Sequence, residues 1–254
     1  MVRFFVSPSD ISERLIKLSA EDTAHIRSLR LRPSEFFVAC DGKGNDYLCR
    51  LEETGRGGQG TGDGDSFAGI VERRPSVGEP SVRCSVYIAL AKGERLDYAV
   101  QKSVELGAHD ITLFLSGRCI SVPKDITKKT ARLQKIALET AKQCGRGIVP
   151  EITAASSFKM AIELAAKADL ALLPYECEDK ISLKQVLCQG KGQMAYKTIS
   201  IMTGPEGGFE PHEALLAEAS GMISVSLGPR VLRCETAPAA VLAAIMYHTD
   251  NMSL

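Results

Sequence analysis

Several features that would assign this chain to a common protein class are missing. Lysine plus arginine and aspartate plus glutamate both number 31, so the chain lacks the net positive charge of a bulk nucleic-acid binder. Any RNA contact must therefore be a local patch. No apolar run approaches the roughly 20 residues that span a bilayer, and the first residues lack the apolar stretch and cleavage site of a signal peptide. We predict a cytoplasmic protein.

Cysteine is plentiful, but its spacing does not point to a metal site or a disulfide framework. The eight cysteines are scattered, form no C-x-x-C pair, and in at least half of the cases lie in apolar runs. This pattern favours buried free thiols over a zinc site or a set of disulfides. We therefore predict no bound metal.

The order of the apolar runs predicts two domains. Residues 1–76 contain short extended runs between turn signals, which is typical of a small β-barrel or sandwich. After a linker rich in proline and glycine, apolar strand patterns alternate with helical ones, which predicts a parallel sheet covered by helices on both faces. The Gly-rich stretch at 54–65 is interpreted as a hairpin insertion rather than a functional loop.

Two loops that follow predicted strands form the candidate site. The apolar run Ile199–Met202 stops at a turn with one proline and three glycines, which we call the first loop (residues 203–208). The run Ile223–Leu227 leads into the second loop (residues 227–237), which carries Arg230, Arg233 and Glu235. Glycine permits close backbone approach, so a ligand here could meet bare N–H and C=O groups. Two such loops at strand ends indicate one shared site.

The first loop has the wrong chemistry for the phosphate that Gly-rich turns usually bind. The sequence has neither a G-x-G-x-x-G nor a P-loop pattern, and Glu206 would repel a polyphosphate. A cationic or zwitterionic ligand fits better. S-adenosylmethionine carries a sulfonium and no phosphate, and an apolar slot can hold its adenine. These residues favour a methyltransferase without excluding other ligands.

Motifs along the whole chain resemble those of the RsmE family. The resemblance is carried by Thr203-Gly204-Pro205-Glu206-Gly207-Gly208-Phe209 and by Leu227-Gly228-x-Arg230-Val231-Leu232-Arg233-x-Glu235-Thr236-Ala237. Segments around Arg3, His25, Lys92, Gln101 and Glu139 match further family motifs in the expected order. Members of this family are SPOUT-class methyltransferases that use S-adenosylmethionine to modify N3 of a uridine in 16S ribosomal RNA.

The resemblance implies a specific architecture. It predicts a PUA-like β-barrel that binds RNA over residues 1–76 and an α/β methyltransferase domain over residues 77–254, whose C-terminal part is a trefoil knot. It also predicts a homodimer that acts on 16S rRNA within the small ribosomal subunit. The closing helix from Thr236 is apolar almost all round, so a second surface must bury it. That surface is either the rest of the domain or, as we favour, a second subunit.

Site residues follow from the family positions and from the chemistry of the loops. Cofactor contacts are expected from both loops and from a third wall at the end of another strand: Leu173, Pro174, Thr203, Gly204, Pro205, Glu206, Gly207, Gly208, Leu227, Gly228, Val231, Leu232, Thr236 and Ala237. Arg230 and Arg233 are expected to hold the substrate phosphate or the uracil oxygen. Glu235 and Glu206 are candidate general bases. Alternatively, the arginines pair with these two carboxylates and only order the loop.

The predicted RNA contacts are basic or titratable side chains in motif segments: Arg3, His25, Arg27, Arg30, Lys102, Arg118 and Arg146. Lys102 and Glu105 lie three residues apart on a predicted helix, so they could instead pair with each other. One motif departs from the family. Ser116-Gly117-Arg118-Cys119 stands where relatives often have Ser-Glu-Arg-Ser, so any role of that glutamate is absent here.

Two other functions are compatible with these motifs. One is a methyltransferase of the same fold that acts on another RNA or base. The other is an RNA-binding assembly factor that has lost catalysis, although the intact segment Gly204–Gly208 argues against it.

Overall fold

The computed structural model describes residues 1–32, 34–51, 66–120, 122–189 and 196–253. The predicted hairpin insertion at 54–65 lies outside these ranges. The chain divides into two compact units, Met1–Glu79 with Ala141–Val149 and Pro80–Thr140 with Pro150–Leu254. The predicted domains were continuous stretches. A segment that leaves one unit and joins the other has no composition signal, so the sequence did not indicate the placement of Ala141–Val149.

The first unit contains a five-stranded sheet and one helix. Its elements are β1 (Arg3–Phe5), β2 (Leu15–Leu18), helix α1 (Ala20–Ser28), β3 (Phe36–Cys40), β4 (Asn45–Leu51) and β5 (Ser66–Pro75). The strand order is β1-β3-β4-β5-β2, and all pairs are antiparallel except β1 with β3. One face of the sheet buries apolar side chains around Phe4, Ile16 and Phe37. The extended character predicted for this region is confirmed, although β2 was not predicted.

The second unit alternates strands and helices. Its elements are β6 (Arg83–Ala89), α2 (Glu94–Glu105), β7 (Ala108–Phe114), α3 (Ile126–Cys144), β8 (Glu151–Ala154), α4 (Phe158–Ala165), β9 (Leu170–Pro174), α5 (Leu183–Gln189), β10 (Thr198–Thr203), α6 (Pro211–Ala219), β11 (Ile223–Val225) and α7 (Ala237–His248). The last turn of α3 belongs to the segment grouped with the first unit.

The six strands of the second unit form one parallel sheet, as predicted. The order is β11-β9-β10-β6-β7-β8, and every pair is parallel. All five residues of β9 are buried, as expected for a strand covered on both faces. The chain moves outward from β6 to β8 and then crosses to the other side, so a topological switch point lies between β6 and β10. Ligands of open α/β sheets bind beyond the carboxyl ends of strands at such a point.

Helix α7 packs one of its sides against its own unit. Val241, Leu242 and Ile245 are fully buried, and the helix contacts α2, β6 and β10. Thr236 occupies the N-cap position, as predicted, but its side chain makes no capping hydrogen bond. Tyr247, near the end of the helix, is 79% exposed.

None of the eight cysteines forms a disulfide; Cys40, Cys49 and Cys84 are buried, and Cys177 and Cys188 are exposed. Across the described ranges, no cluster of three or more His, Cys, Asp or Glu side chains is arranged to hold a metal ion. No helix in the same ranges is long and apolar enough to cross a bilayer.

Candidate functional site

A cavity of about 770 Å³ lies at the carboxyl edge of β9, β10 and β11. The first loop begins at the last residue of β10, the second loop follows β11, and residues 174–179 begin at the last residue of β9. Parallel strands end at the same edge of a sheet, which is why three segments far apart in sequence meet here. The two loops that the sequence singled out are therefore two walls of one cavity.

Glu206 of the first loop is fixed by Lys92, which lies between β6 and α2, and by Arg95 in the first turn of α2. Its Oε1 accepts a hydrogen bond from the Lys92 backbone N–H at 2.9 Å and another from Arg95 Nη1 at 2.9 Å. Burial opposes ionisation of Glu206, but these hydrogen bonds and one from its own backbone N–H outweigh burial and lower its pKa. Its other oxygen, Oε2, is buried, and no described residue hydrogen-bonds it. Glu206 is thus a held carboxylate with one acceptor unused.

Arg118 and Phe209 hold the other end of the first loop. Arg118 Nη1 donates to the Gly207 carbonyl oxygen at 2.8 Å. Phe209 is buried and stacks on Phe114 with 6.4 Å between ring centroids. A Cβ at position 207 would lie 3.1 Å from the Arg118 Cβ, so glycine allows this close approach. The loop is therefore tied to the sheet at both ends.

Glu213 explains how the departure from the family motif at residues 116–119 is accommodated. The Gly117 N–H donates to Glu213 Oε1 at 2.8 Å, and the Glu210 N–H donates to Oε2 at 2.8 Å, which caps helix α6. A Cβ at position 117 would lie 3.3 Å from the Glu210 carboxyl group. Gly117 therefore lets the segment after β7 pack closely against the start of α6.

The second loop presents charged groups that the protein leaves unpaired. Arg230 and Arg233 are exposed and line the cavity, and neither guanidinium forms an ion pair with any described residue. The alternative that they pair with Glu206 or Glu235 is not supported. Neither arginine forms an ion pair with either carboxylate, and Glu206 is paired with Arg95 instead. Glu235 accepts a hydrogen bond from Cys234 Sγ at 3.2 Å. Burial and this neighbour raise the pKa of Cys234 to about 12.

The third wall is longer than predicted and begins one residue later. Pro174 lines the cavity together with Tyr175, Glu176, Glu178 and Asp179. Leu173 instead points into the core and is fully buried. The backbone N–H groups of Lys180 and Ile181 donate to Glu178 at 2.7 and 2.9 Å, which lowers its pKa and folds the segment back on itself.

Most of the predicted cofactor residues line the cavity. The exceptions are Leu173 and Thr236, which lies at the start of α7. Thr203 lines it with its side chain buried, and its hydroxyl donates to the Tyr87 carbonyl oxygen at 3.4 Å. In all, the lining carries five carboxylates and three guanidinium groups. Such a cavity suits a cationic or zwitterionic ligand better than a polyphosphate.

Comparison with known proteins identifies the family of this chain. Residues 78–246 match the RNA methyltransferase domain family, and residues 18–58 match the RNA methyltransferase PUA domain family. Ribosomal RNA small subunit methyltransferase E of Bacillus subtilis is 30% identical over 98% of this chain and 98% of its own length. The enzyme of that name from Mesomycoplasma hyopneumoniae is 30% identical over 93% of this chain and 95% of its own.

This chain belongs to the RsmE family. A crystal structure of the Neisseria gonorrhoeae RsmE protein, bound to S-adenosyl methionine, superposes on it with a TM-score of 0.80 at 29% identity, covering 97% of both chains. The α/β methyltransferase fold and the PUA-like domain predicted from the RsmE motifs are thus confirmed.

Two of the predicted RNA-contacting residues are buried within the first unit. Arg3 Nη1 and Nη2 donate to the Asp46 carboxylate at 2.7 and 2.8 Å, with only 10% of the Arg3 side chain exposed. Arg146 is 3% exposed, and its Nη2 lies 2.6 Å from Glu79 Oε2. The prediction that they contact RNA is not supported, because each guanidinium is ion-paired with a carboxylate of the same unit, Arg3 with Asp46 and Arg146 with Glu79.

The remaining predicted RNA contacts of this RsmE protein are on the surface. Arg27 and Arg30 are exposed, and neither guanidinium is ion-paired within the described ranges. His25 is exposed but packs edge-on against Phe4, with 5.6 Å between ring centroids. Lys102 Nζ donates to both Glu105 oxygens at 2.8 Å, so the alternative pairing on α2 is the one observed.

The sequence reasoning missed Arg95 and the segment after Pro174. Arg95 lies three residues after Lys92 in a segment that matches the family, but nothing in the spacing of residues 95 and 206 indicates that they touch. A sequence signal did exist for the segment 175–179, because it follows a strand of the same parallel sheet.

Proposed function

We propose that this chain methylates N3 of a specific uridine in 16S ribosomal RNA of the small subunit, with S-adenosylmethionine as methyl donor. The observation that carries the proposal is that both RsmE motif loops wall one cavity at the carboxyl edge of the sheet. Membership of the RsmE family and the cofactor bound to the Neisseria relative support it.

The cavity fits S-adenosylmethionine by size and by charge. Its volume of about 770 Å³ is within the range of small-molecule sites. Carboxylates outnumber guanidinium groups in the lining, which suits a ligand with a sulfonium and an ammonium group. We assign cofactor binding to Pro174, the first loop and the second loop, with Leu173 and Thr236 supporting them from behind.

The protein must position the base and remove a proton from N3. Bound S-adenosylmethionine supplies a methyl group made electrophilic by the sulfonium. Arg230 and Arg233 are free to hold a substrate phosphate or a uracil oxygen, since neither is engaged by a described residue. In-line positioning of the base is then their contribution.

Glu235 is the better of the two candidate bases. Glu206 is already bound by Lys92 and Arg95, and its lowered pKa makes it a weaker proton acceptor. Glu235 lines the cavity, and among the described residues its carboxylate accepts a hydrogen bond only from Cys234, at Oε2. We therefore assign Glu206 to holding the first loop and Glu235 to accepting the N3 proton.

The rest of the proposal concerns architecture and setting. The PUA-like domain, proposed as residues 1–76, binds RNA through exposed cations that include Arg27 and Arg30. The methyltransferase domain, proposed as residues 77–254, has a C-terminal trefoil knot. The active unit is a homodimer with α7 at the interface, and exposed Tyr247 is available for that contact. It works in the cytoplasm, where ribosomal RNA is modified.

The test is a methylation assay with a mapped product. The purified protein is incubated with S-adenosylmethionine and, separately, unmodified small subunits, isolated 16S rRNA and transfer RNA. N3-methyluridine at one 16S position, found by mass spectrometry, is the expected result. Methyl incorporation only into transfer RNA or another base would replace the proposed substrate. Cofactor binding without incorporation into any RNA would leave the non-catalytic assembly factor as the function.

A further inference from the structure

One face of the sheet in the first unit leaves aromatic side chains in solvent. The buried face is formed by Ile16, Phe37, Cys49 and Ala68, which belong to the apolar core. Since side chains alternate along a strand, their neighbours project from the opposite side. Five of these neighbours are exposed, and we call them the outer face: Leu15, Lys17, Phe36, Arg50 and Phe67.

Strand register brings these five residues together. Phe36 pairs with Arg50 across β3 and β4, and Arg50 pairs with Gly69 across β4 and β5. Lys17 pairs with Phe67 across β2 and β5, two residues along from Gly69. Strand spacing and rise place the two phenylalanines roughly 12 Å apart, with Arg50 between their strands.

The outer face is exposed rather than covered by the other described residues of the chain. Phe36 is 43% exposed, Phe67 is 38% exposed and Leu15 is 39% exposed. Arg50 is also exposed, and its guanidinium forms no ion pair with a described residue. Scattered exposed apolar residues need no explanation. Two aromatic rings and two basic side chains on adjacent strands are a more specific arrangement.

We propose that the outer face binds single-stranded RNA, with unpaired bases stacked on Phe36 and Phe67 and the backbone phosphate held by Arg50. A flat sheet that carries aromatic rings beside cations is suited to splayed bases, because each base offers a π-face and each nucleotide a negative charge. Paired bases in a duplex do not present their faces to such a surface. A protein partner would use the apolar rings but would not require the cations.

This inference rests on the proposed RNA substrate, but it concerns a surface on the first unit rather than the cavity. It does not depend on Arg27 or Arg30, which lie on or after α1. The face would bind an unpaired segment of the substrate RNA.

The test measures binding and catalysis separately. A labelled, unstructured 12-nucleotide RNA and a duplex of the same length are titrated with the full chain by fluorescence anisotropy. Phe36→Ala and Phe67→Ala should each weaken single-strand binding between about fivefold and a hundredfold. Phe36→Tyr keeps the ring and should bind within about twofold of the parent. Val77→Ala removes an 89% exposed apolar side chain elsewhere and should have no effect.

Arg50→Gln should reduce the salt dependence of single-strand binding, with the slope of log K against log salt falling by about 0.7. Circular dichroism melting confirms that each variant is folded. The inference is overturned if the alanine variants bind the single strand as the parent does, or if they lose duplex binding equally. It is also overturned if the parent binds no RNA while Phe67→Ala changes its self-association. If the parent does not methylate 16S rRNA, while single-strand binding still depends on Phe36 and Phe67, the result would refute the proposed function but not this inference.

Discussion

The two loops that wall the cavity are held very differently. The first loop is tied by Arg95 and the Lys92 N–H at Glu206, by Arg118 at Gly207 and by the buried ring of Phe209. The second loop leaves Arg230 and Arg233 in solvent, and Val231 is 82% exposed. One wall is preorganised by the protein, and the other presents groups for something else to engage.

This difference assigns the two walls different tasks. A site that binds the same small molecule in every cycle gains affinity when its contacts are fixed in advance. A large RNA instead supplies its own phosphate groups, which free guanidinium groups can pair with on arrival. We therefore expect changes in the first loop to alter cofactor affinity. Loss of the charged side chains of the second loop, Arg230, Arg233 or Glu235, should instead alter turnover.

The largest expected effect comes from Arg233→Ala. Loss of a guanidinium that contacts the substrate should lower turnover about 100-fold, while cofactor affinity stays within about threefold. Single-turnover methylation and calorimetry measure the two quantities. Arg83→Ala is the matched control, because Arg83 is exposed at the start of β6, at the opposite edge of the sheet. An unchanged turnover in Arg233→Ala would remove the second loop from the reaction.

Gly207→Val should have the next largest effect, at least about tenfold weaker cofactor binding with the fold retained. The new side chain would push against Arg118, whose Cβ lies 3.1 Å from the added Cβ position, and would displace the loop. Calorimetry on the single variant and on Arg118→Ala with Gly207→Val separates the causes. If the double variant recovers cofactor affinity, the loss in the single variant comes from the contact with Arg118. If the affinity stays low, the valine side chain blocks the cofactor directly. Normal affinity in the single variant would contradict the role of this wall.

Glu206→Gln should weaken cofactor binding about fivefold and leave turnover at saturating cofactor nearly unchanged. The amide keeps the shape but loses the negative charge that pairs with Arg95 in the cavity wall. Glu235→Gln is the paired comparison, and there turnover should fall while cofactor affinity is kept. The reverse result would make Glu206 the base and overturn the division between the walls.

The smallest effect is on stability against pH. The folded pKa of Glu206 is below its ordinary value of 4.5. Its stabilisation is therefore fully present above pH 4.5 and is lost as the pH falls through the folded pKa. The melting temperature of the parent should exceed that of Glu206→Gln by about 2 °C or less near pH 7. The difference should vanish in acid. A difference that grew as the pH fell would contradict the assignment.

Local sequence patterns predicted the parallel sheet and both loops, because strands and turns depend mainly on the types of residues that are adjacent in sequence. The ends of Ile199–Met202 and Ile223–Leu227 located the site to within a few residues. Contacts between distant segments were not predictable in this way. Arg95 meets Glu206, and Arg3 is buried against Asp46, only because the fold brings them together. A basic residue in a motif, such as Arg3, can therefore have a structural role. A basic residue that was not predicted as a site residue, such as Arg95, can fix a loop of the site.

We expect the fixed first loop and the exposed second loop to enclose a site for a sulfonium ligand rather than for a polyphosphate. Titration calorimetry with S-adenosylmethionine and with ATP tests it most directly, because both carry adenosine and they differ in charge. We predict that one S-adenosylmethionine binds per chain, that its binding is weaker in Gly207→Val, and that ATP does not compete. ATP that binds or displaces S-adenosylmethionine would contradict it, as would equal binding by the Gly207→Val variant.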